Sequence, residues 1–570
     1  MDRQEATGRA ERCEQPPENP QGSDPQANPG GSGSYTAAAP AMRLRSALST
    51  IACCAFALAG CSGSNDGTRV LVVGWDGATF DLLDPMVAEG ELPHVAALMA
   101  RGRTATLEST RIPISSAAWP TISTGVGPGV HGVYSFFQPE DESYDVRLVS
   151  AADVAAPPIW RVLSGRGQRA HVWGVPITYP PEQIDGTLVA GMLSPFGAQY
   201  AHPRGLADEL RSKGFVPDLG VWRQDQVADL DLIRRQLDLK ERELLELAGR
   251  QDWRLCMFVF KSLDVLCHRP NLDLQGPEIR ELLRRLDAIL GRLVQSVGPD
   301  TTVVLLSDHG FKSYRRAFNL HRWLVEGGWS VQREGESTGT SAAGPLAQAK
   351  ASQRAGRLAT LDLGVSRAIA DVAEGNFGAI RLNVAGREPA GVLTREEVPS
   401  ALDELTARLG EIELPAGVPV VRRVYRGADL YPGPLQDARV PDLIVEFNPA
   451  WRVYTDIFGP PMSVGTQPFP DHALDGILVI AGPSIDGASE RPRAQLTDVA
   501  PMLYHLMGEP IPARLEGDPN PSIERRPRPV RRLTADQEPG KGSLQGDFGD
   551  PDSAGGQEVT SRIESIGYGG

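Results

Sequence analysis

Four separated stretches hold the residues that could do chemistry. Gly74-Trp75-Asp76-Gly77 closes the apolar run Val70 to Val73. Lys261-Ser262-Leu263-Asp264-Val265-Leu266-Cys267-His268 follows directly on the run Leu255 to Phe260. Its Asp-x-x-x-His spacing puts both side chains on one face of a helical turn. Ser307-Asp308-His309-Gly310 ends a third run that starts at Val303, and Asp471-His472-Ala473-Leu474-Asp475-Gly476 precedes Ile477 to Ile480. Asp with His is a hard-to-borderline ligand pair suited to zinc or manganese. Taken singly, each is more often a surface or satisfied core residue, and Asp308 could simply cap a helix. Four such groups, three beside predicted strand ends, are hard to produce by chance. They point to a binding site beyond the carboxyl ends of the strands.

A fifth stretch, Ser109 to Phe136, sets small hydroxyl residues before a helix-like run and a Gly/Pro loop. A serine there can stand at a helix N-terminus with backbone amides facing an anion; in a purely structural role these hydroxyls are helix caps.

The elements that must position these residues are legible as alternating runs. Strands are predicted at Val70 to Val73, Ala170 to Val175, Thr187 to Ala190, Leu255 to Phe260, from Val303, Leu443 to Phe447 and Ile477 to Ile480. Helical spacing marks Leu92 to Gly102 and Asp229 to Ala248, where Leu230, Ile233, Leu237, Leu244 and Leu247 share one face. Strands alternating with helices argue an α/β fold with a mostly parallel sheet and right-handed crossovers.

At 570 residues the chain can bury a large core, and 41% hydrophobic with 23% charged residues is an ordinary globular balance. The net charge of −15, without a long basic run, argues against nucleic acid as a structural partner. The six cysteines form no framework; Cys256 and Cys267, in the body, read as buried free thiols.

Residues 1–41 have a disordered composition. Met42-Arg43-Leu44-Arg45 then opens an apolar run ending Leu58-Ala59-Gly60-Cys61. A basic start, a short apolar core and small residues describe a signal peptide, too short for a membrane span. Leu-Ala-Gly-Cys resembles the bacterial lipobox, which implies lipidation of Cys61, a membrane anchor at the cell envelope (periplasmic or outer-membrane face) and translation starting at Met42. Residues 62–68 read as a tether, 69–518 as the folded body with a cap or insertion at about 332–376, and 519–570 as a polar tail with a short terminal helix.

Across residues 69 to 518 the sequence resembles the alkaline phosphatase superfamily, in its type I phosphodiesterase/nucleotide pyrophosphatase-like branch. The four motifs carry the resemblance, with VPITYPPE (Val175 to Glu182), GAIRLNVAGREP (Gly378 to Pro389), PDLIVEF (Pro441 to Phe447), TDVAPMLYHLMG (Thr497 to Gly508) and the closing RIESIGY. It implies an alkaline-phosphatase-like fold and two divalent metal ions, zinc or manganese. One would be held by Asp264, His268 and His472, the other by Asp76, Asp308, His309 and the nucleophile. In relatives the nucleophile stands nine residues before a Thr-Gly pair; counting back from Thr124-Gly125 reaches Ser115, with Ser116 the alternative and Thr121 behind both. Ser116-Ala117 replace the usual prolines, and Ser115 stands where Thr is commoner.

The implied reaction is hydrolysis of a phosphodiester, phosphomonoester or nucleotide pyrophosphate through a phosphoserine. Lys261 and Lys312 are candidate phosphate contacts. Trp119 reads as pocket or core. His131 and His94, His171, His202, His321 and His505 read as structural. The implied substrate is a phosphorylated small molecule, a nucleotide or a lipid head group. A phosphomutase fits the scaffold but not an envelope location, and a sulfatase would need a Cys/Ser-x-Pro-Ser-Arg type motif that is missing. A non-catalytic envelope binding module would be expected to have lost at least one of the six ligands, and all six are present.

Overall fold

A computed structural model describes residues 68–538 apart from 140–142, 196, 218–229, 270, 334–357, 416, 436–438 and 457–458. The signal segment, Cys61, nearly all of the tether and the closing RIESIGY lie outside the described residues. So does most of the stretch expected to form a cap.

Sixteen strands matter for the site. In chain order they are β1 Val70–Trp75, β2 Arg103–Glu108, β3 Ala170–Trp173, β4 Gly186–Val189, β5 Ala201–His202 and β6 Leu255–Phe260. Then come β7 Thr302–Leu306, β8 Gly310–Asn319, β9 Ala368–Glu374, β10 Phe377–Leu382 and β11 Val421–Arg426. The last are β12 Leu443–Phe447, β13 Trp451–Tyr454, β14 Met462–Ala473, β15 Asp475–Ala481 and β16 Arg493–Gln495.

Nine of these build the main sheet, in the order β16-β2-β15-β7-β1-β6-β3-β4-β5. The inner block β7-β1-β6-β3-β4 is parallel throughout, and β15 runs antiparallel between β7 and β2. The fold class is therefore the expected one, a mostly parallel α/β sheet. Strands β1, β6 and β7 are wholly buried, which explains their uninterrupted apolar composition. The helices Leu230–Gly249 and Pro277–Val297 lay their Leu and Ile faces into this core.

Two smaller sheets flank the main one: β13-β8-β14, and the antiparallel β9-β10-β12-β11 with its own core around Phe318, Ile380, Leu405 and Val445. Here two sequence expectations need correction. Leu443–Phe447 is a strand, but of the antiparallel side sheet, because a buried apolar run specifies no neighbour. Gly310–Asn319, which the sequence reading left without an element, is a ten-residue strand. Its apolar residues alternate irregularly with partly or fully exposed Lys312, Ser313, Arg315 and Arg316, so no period-2 pattern marks it. Within the stretch expected as a cap, Ala368–Glu374 is β9. Residues after Pro519 fold back, with Glu524 against His505 and Leu533 against Ile511. Cys256 and Cys267 are free and buried. No helix among the described residues is long and apolar enough to cross a membrane.

Candidate active site

Three neighbouring parallel strands deliver their next residues to one edge of the sheet. Trp75 of β1 registers with Phe260 of β6, and Gly74 with Leu306 of β7. The chain beyond each end therefore emerges at a common level: Asp76 after β1, Lys261 to His268 after β6, Ser307 to His309 after β7. The amide of Asp76 donates to the Phe260 carbonyl at 3.0 Å, which ties two of these exits together. β14 brings the fourth motif, because His472 registers opposite Phe311 of β8. The helix Ser115–Thr124 begins on Ser115 and points its first residue at the same edge.

The side chains form two adjoining sets. In the first, Asp264 Oδ1 lies 3.3 Å from His268 Nε2 and 3.4 Å from His472 Nε2, and the two imidazole nitrogens are 2.9 Å apart. In the second, His309 Nε2 is 3.4 Å from Asp308 Oδ2, 3.7 Å from Asp76 Oδ1 and 3.2 Å from Ser115 Oγ. Ser115 Oγ is 3.5 Å from Asp76 Oδ1. The rings of His309 and His472 stack at 3.9 Å, so the sets share a wall and His309 lies within reach of both. Donors around a tetrahedral ion at 2.0–2.1 Å are separated by roughly 3.3 Å. Most of the observed separations are close to that edge length.

Two of the three imidazoles are fixed from behind: His472 Nδ1 donates to the Pro113 carbonyl at 2.6 Å and His309 Nδ1 to the Gly310 carbonyl at 3.2 Å, so both turn Nε2 toward the cluster. Trp119 Nε1 donates to Asp76 Oδ2 at 2.9 Å, making this fully buried core residue a clamp on a site carboxylate. Glu374 Oε2 approaches His472 Nδ1 at 3.9 Å, and Asp471, ion-paired to Arg452, accepts from the His472 amide at 2.7 Å. The sequence reading missed the Trp119 clamp, the Pro113 carbonyl and Glu374. Trp119 does stand four residues after Ser115, one helical turn on, and that spacing was available as a signal.

Asp76, Asp264, Asp308, His309 and His472 are all 0% exposed. Burial, then the charges of Asp308 and Asp264, drives the Asp76 carboxyl well above its usual range. Burial followed by Asp264 raises Asp308 to about 7. Asp264 goes the other way: burial pushes it up, but His268, His472 and Lys261 outweigh that and hold it well below. Burial, reinforced by His472, leaves His309 neutral. His472 is itself lifted to about 9, against burial, by its hydrogen bond to Asp264 and by Glu374. Asp308 Oδ2 is buried with no hydrogen-bond donor among the described residues. Three carboxylates without solvent form a deficit of positive charge, and divalent cations at these donors would fill it. The donor set fits such ions.

Of the weaker candidates, Lys261 reaches the site, its Nζ 3.8 Å from Asp264 Oδ2. Lys312 does not: its ammonium lies 4.8 Å from the Tyr314 ring, and no contact joins it to the cluster among the described residues. Ser116 Oγ is buried with no hydrogen-bond partner among the described residues. His131, held neutral by burial with its titration near 3, bonds Thr121 and the Val133 amide; His202 bonds the Ile184 carbonyl and His505 pairs with Glu524.

Residues 70–469 match the family model of type I phosphodiesterase/nucleotide pyrophosphatase. The chain belongs to that family. As a member it is a phosphoesterase or pyrophosphatase on an alkaline-phosphatase-like fold. Among solved structures, this phosphodiesterase-family chain is similar to phosphonoacetate hydrolase from Sinorhizobium meliloti 1021 in complex with phosphonoformate. The identity is 15% and the TM-score 0.51, over 77% of this chain and 95% of that one. The same hydrolase in complex with phosphonoacetate gives 16% and 0.51 over the same shares. Human ectonucleotide pyrophosphatase/phosphodiesterase 5 gives 14% and 0.49, over 80% of this chain and 100% of that one. No curated protein sequence matches.

Proposed function

We propose that the chain is a two-metal phosphoesterase that hydrolyses a phosphodiester, phosphomonoester or nucleotide pyrophosphate through a phosphoserine at Ser115. The observation that carries this is the lodging of Ser115 Oγ between His309 Nε2 at 3.2 Å and Asp76 Oδ1 at 3.5 Å. Asp264, His268 and His472 would hold one cation; Asp76, Asp308 and His309 with Ser115 would hold the other. Nitrogen and carboxylate donors in these numbers suit zinc, with manganese the alternative. Bound there, the cations supply charge neutralisation at the attacking and leaving oxygens of an in-line displacement.

The protein's own contribution is position. The Ser115 hydroxyl lies between two groups that would hold a cation, which would favour loss of its proton to solvent water as the oxygen attacks phosphorus. The Oγ–P bond forms as the bond to the leaving oxygen breaks; water then attacks the phosphoserine and Ser115 regains a proton. Trp119 keeps Asp76 aimed, and Pro113 keeps His472 aimed. Lys261 stands where it can meet a non-bridging phosphoryl oxygen. Substrates are phosphorylated small molecules, nucleotides or lipid head groups; the solved relative is bound to phosphonoformate in one structure and phosphonoacetate in the other, both small phosphonates. Lipidation at Cys61, supported by the basic start and the Leu-Ala-Gly-Cys stretch, would place the enzyme on the cell envelope.

The test is turnover of bis-p-nitrophenyl phosphate and p-nitrophenyl phosphate by zinc-loaded protein, beside the variants Ser115→Ala and Ser116→Ala. Ser115→Ala should lose at least about a thousandfold in kcat, the loss typical of a removed nucleophile. Ser116→Ala should stay within a few-fold. Equal activity of Ser115→Ala and the parent protein would refute the assignment.

A further inference from the structure

The cleft next to the cluster contains a lysine that the proposed chemistry does not use. Beyond the carboxyl ends of β3, β4 and β6 lies a small opening, lined among others by Met192, Phe215, Lys240, Phe260, Lys261 and Ser262. Lys240 belongs to the helix Leu230–Gly249. The residue is half-buried, and its ammonium donates to the Val259 carbonyl and sits 4.7 Å from the Phe260 ring centre. No carboxylate pairs with it among the described residues. Desolvation alone pulls it down to about 7.

An enclosed ammonium without a counter-charge is costly, and an anion delivered to it recovers that cost. Two neighbours shape the ammonium's surroundings. A Cβ on Gly174 would stand 2.8 Å from Lys240 Nζ and 2.8 Å from the Val259 oxygen, so glycine leaves the ammonium its place. The Ser262 hydroxyl is buried without a hydrogen-bond partner among the described residues. Lys261 lines the cleft and also approaches Asp264, so a molecule held at Ser115 can extend past it over the apolar Met192 and Phe215.

We propose that Lys240 is a specificity residue: its ammonium receives a second acidic group, a carboxylate or phosphate, on the substrate arm remote from the reacting phosphorus. The inference rests on the phosphoesterase reading above. The substrate class it selects is a phosphoester with one further anionic substituent, separated from the ester by a short apolar body.

The experiment compares three diesters of p-nitrophenol, whose second arm is phenyl, 4-carboxyphenyl or 4-phosphonophenyl. Zinc-loaded full-length protein should favour at least one acidic arm over phenyl by tenfold or more in kcat/KM. That ratio should collapse to about 1 in Lys240→Met and in Lys240→Gln, which keeps a donor but removes the charge. The arm preferred shows whether a carboxylate or a phosphate is taken. No preference in the parent protein, or an unchanged ratio in both variants, overturns the proposal. If no diester turns over, the phosphoesterase reading fails by itself, and calorimetric binding of 4-carboxyphenyl, 4-phosphonophenyl and phenyl phosphate decides the subsite. Tenfold tighter binding of either acidic compound that disappears in both variants supports it; equal binding of all three overturns it.

Discussion

The individual side chains of the cluster face a charge problem, and its resolution is measurable. In the metal-free protein His472 keeps a proton up to about 9 and Asp308 up to about 7. A cation binding at these atoms must displace those protons. Zinc binding at pH 8 should therefore release at least one proton, read by calorimetry in buffers of different ionisation heat, and apparent affinity should fall about tenfold per pH unit per proton as pH drops. The sign for stability follows from the same shifts. Both groups bind protons more tightly folded than unfolded, so on their account the metal-free protein loses stability as pH rises through roughly 4 to 7 and 6.5 to 9. Metal-free Tm should decline between pH 6 and 9, and saturating zinc should remove the decline; a metal-free Tm that rises over that range would contradict the arrangement. Trp119→Phe keeps the ring volume but drops the hydrogen bond to Asp76 Oδ2. Ten- to a hundredfold in kcat/KM or zinc affinity is the expected loss, approximately that of other outer-shell partners. The sequence made Asp76, Asp264, Asp308 and the three histidines visible because their types are unusual beside apolar runs. Glu374 acts on His472 across a separation of 98 positions, which no local spacing reports; Trp119, 43 positions from Asp76, is signalled only by its one-turn spacing from Ser115.

Among the elements, the parallel trio β7-β1-β6 does most of the positioning, and its tolerance for change is small. Gly74 sits in the middle strand where a Cβ would lie 2.5 Å from Trp119 Cη2, a rigid ring atom that cannot turn aside. Gly74→Ala should push that ring, loosen Asp76, and destabilise the protein by about 1–3 kcal/mol, the range for overpacked cores. Denaturant melts would register the loss, and activity should fall with zinc still bound. Unchanged stability would mean that the helix Ser115–Thr124 shifts as a body. The apolar runs of β1, β6 and β7 were readable because both of their faces are covered. β8 was not, since its apolar residues alternate irregularly with Lys312, Ser313, Arg315 and Arg316. β12 was readable as a strand but not as a member of the side sheet. That membership depends on pairing with β10 and β11 far away in sequence.

At the scale of the whole molecule, the direction of β1 links the proposed anchor to the proposed site. β1 begins at Val70 and ends at Trp75, one residue before Asp76, so chain entry and cluster lie at opposite ends of a strand. Six residues at about 3.3 Å each separate them by roughly 20 Å. Between Cys61 and Val70 the chain can extend at most about 30 Å. A protein lipidated at Cys61 would be tethered through the end of β1 remote from Asp76, and we propose that its cluster then meets dissolved substrate. Wild-type protein should sediment with membranes, and Cys61→Ser should appear in the soluble fraction. Both forms should hydrolyse a soluble diester with kcat/KM equal within about twofold, because the chain from residue 61 joins β1 at the end remote from Asp76. A tenfold deficit in the membrane-bound form, relieved by detergent, would mean that the cluster faces the bilayer; the substrate would then be sought among lipid head groups.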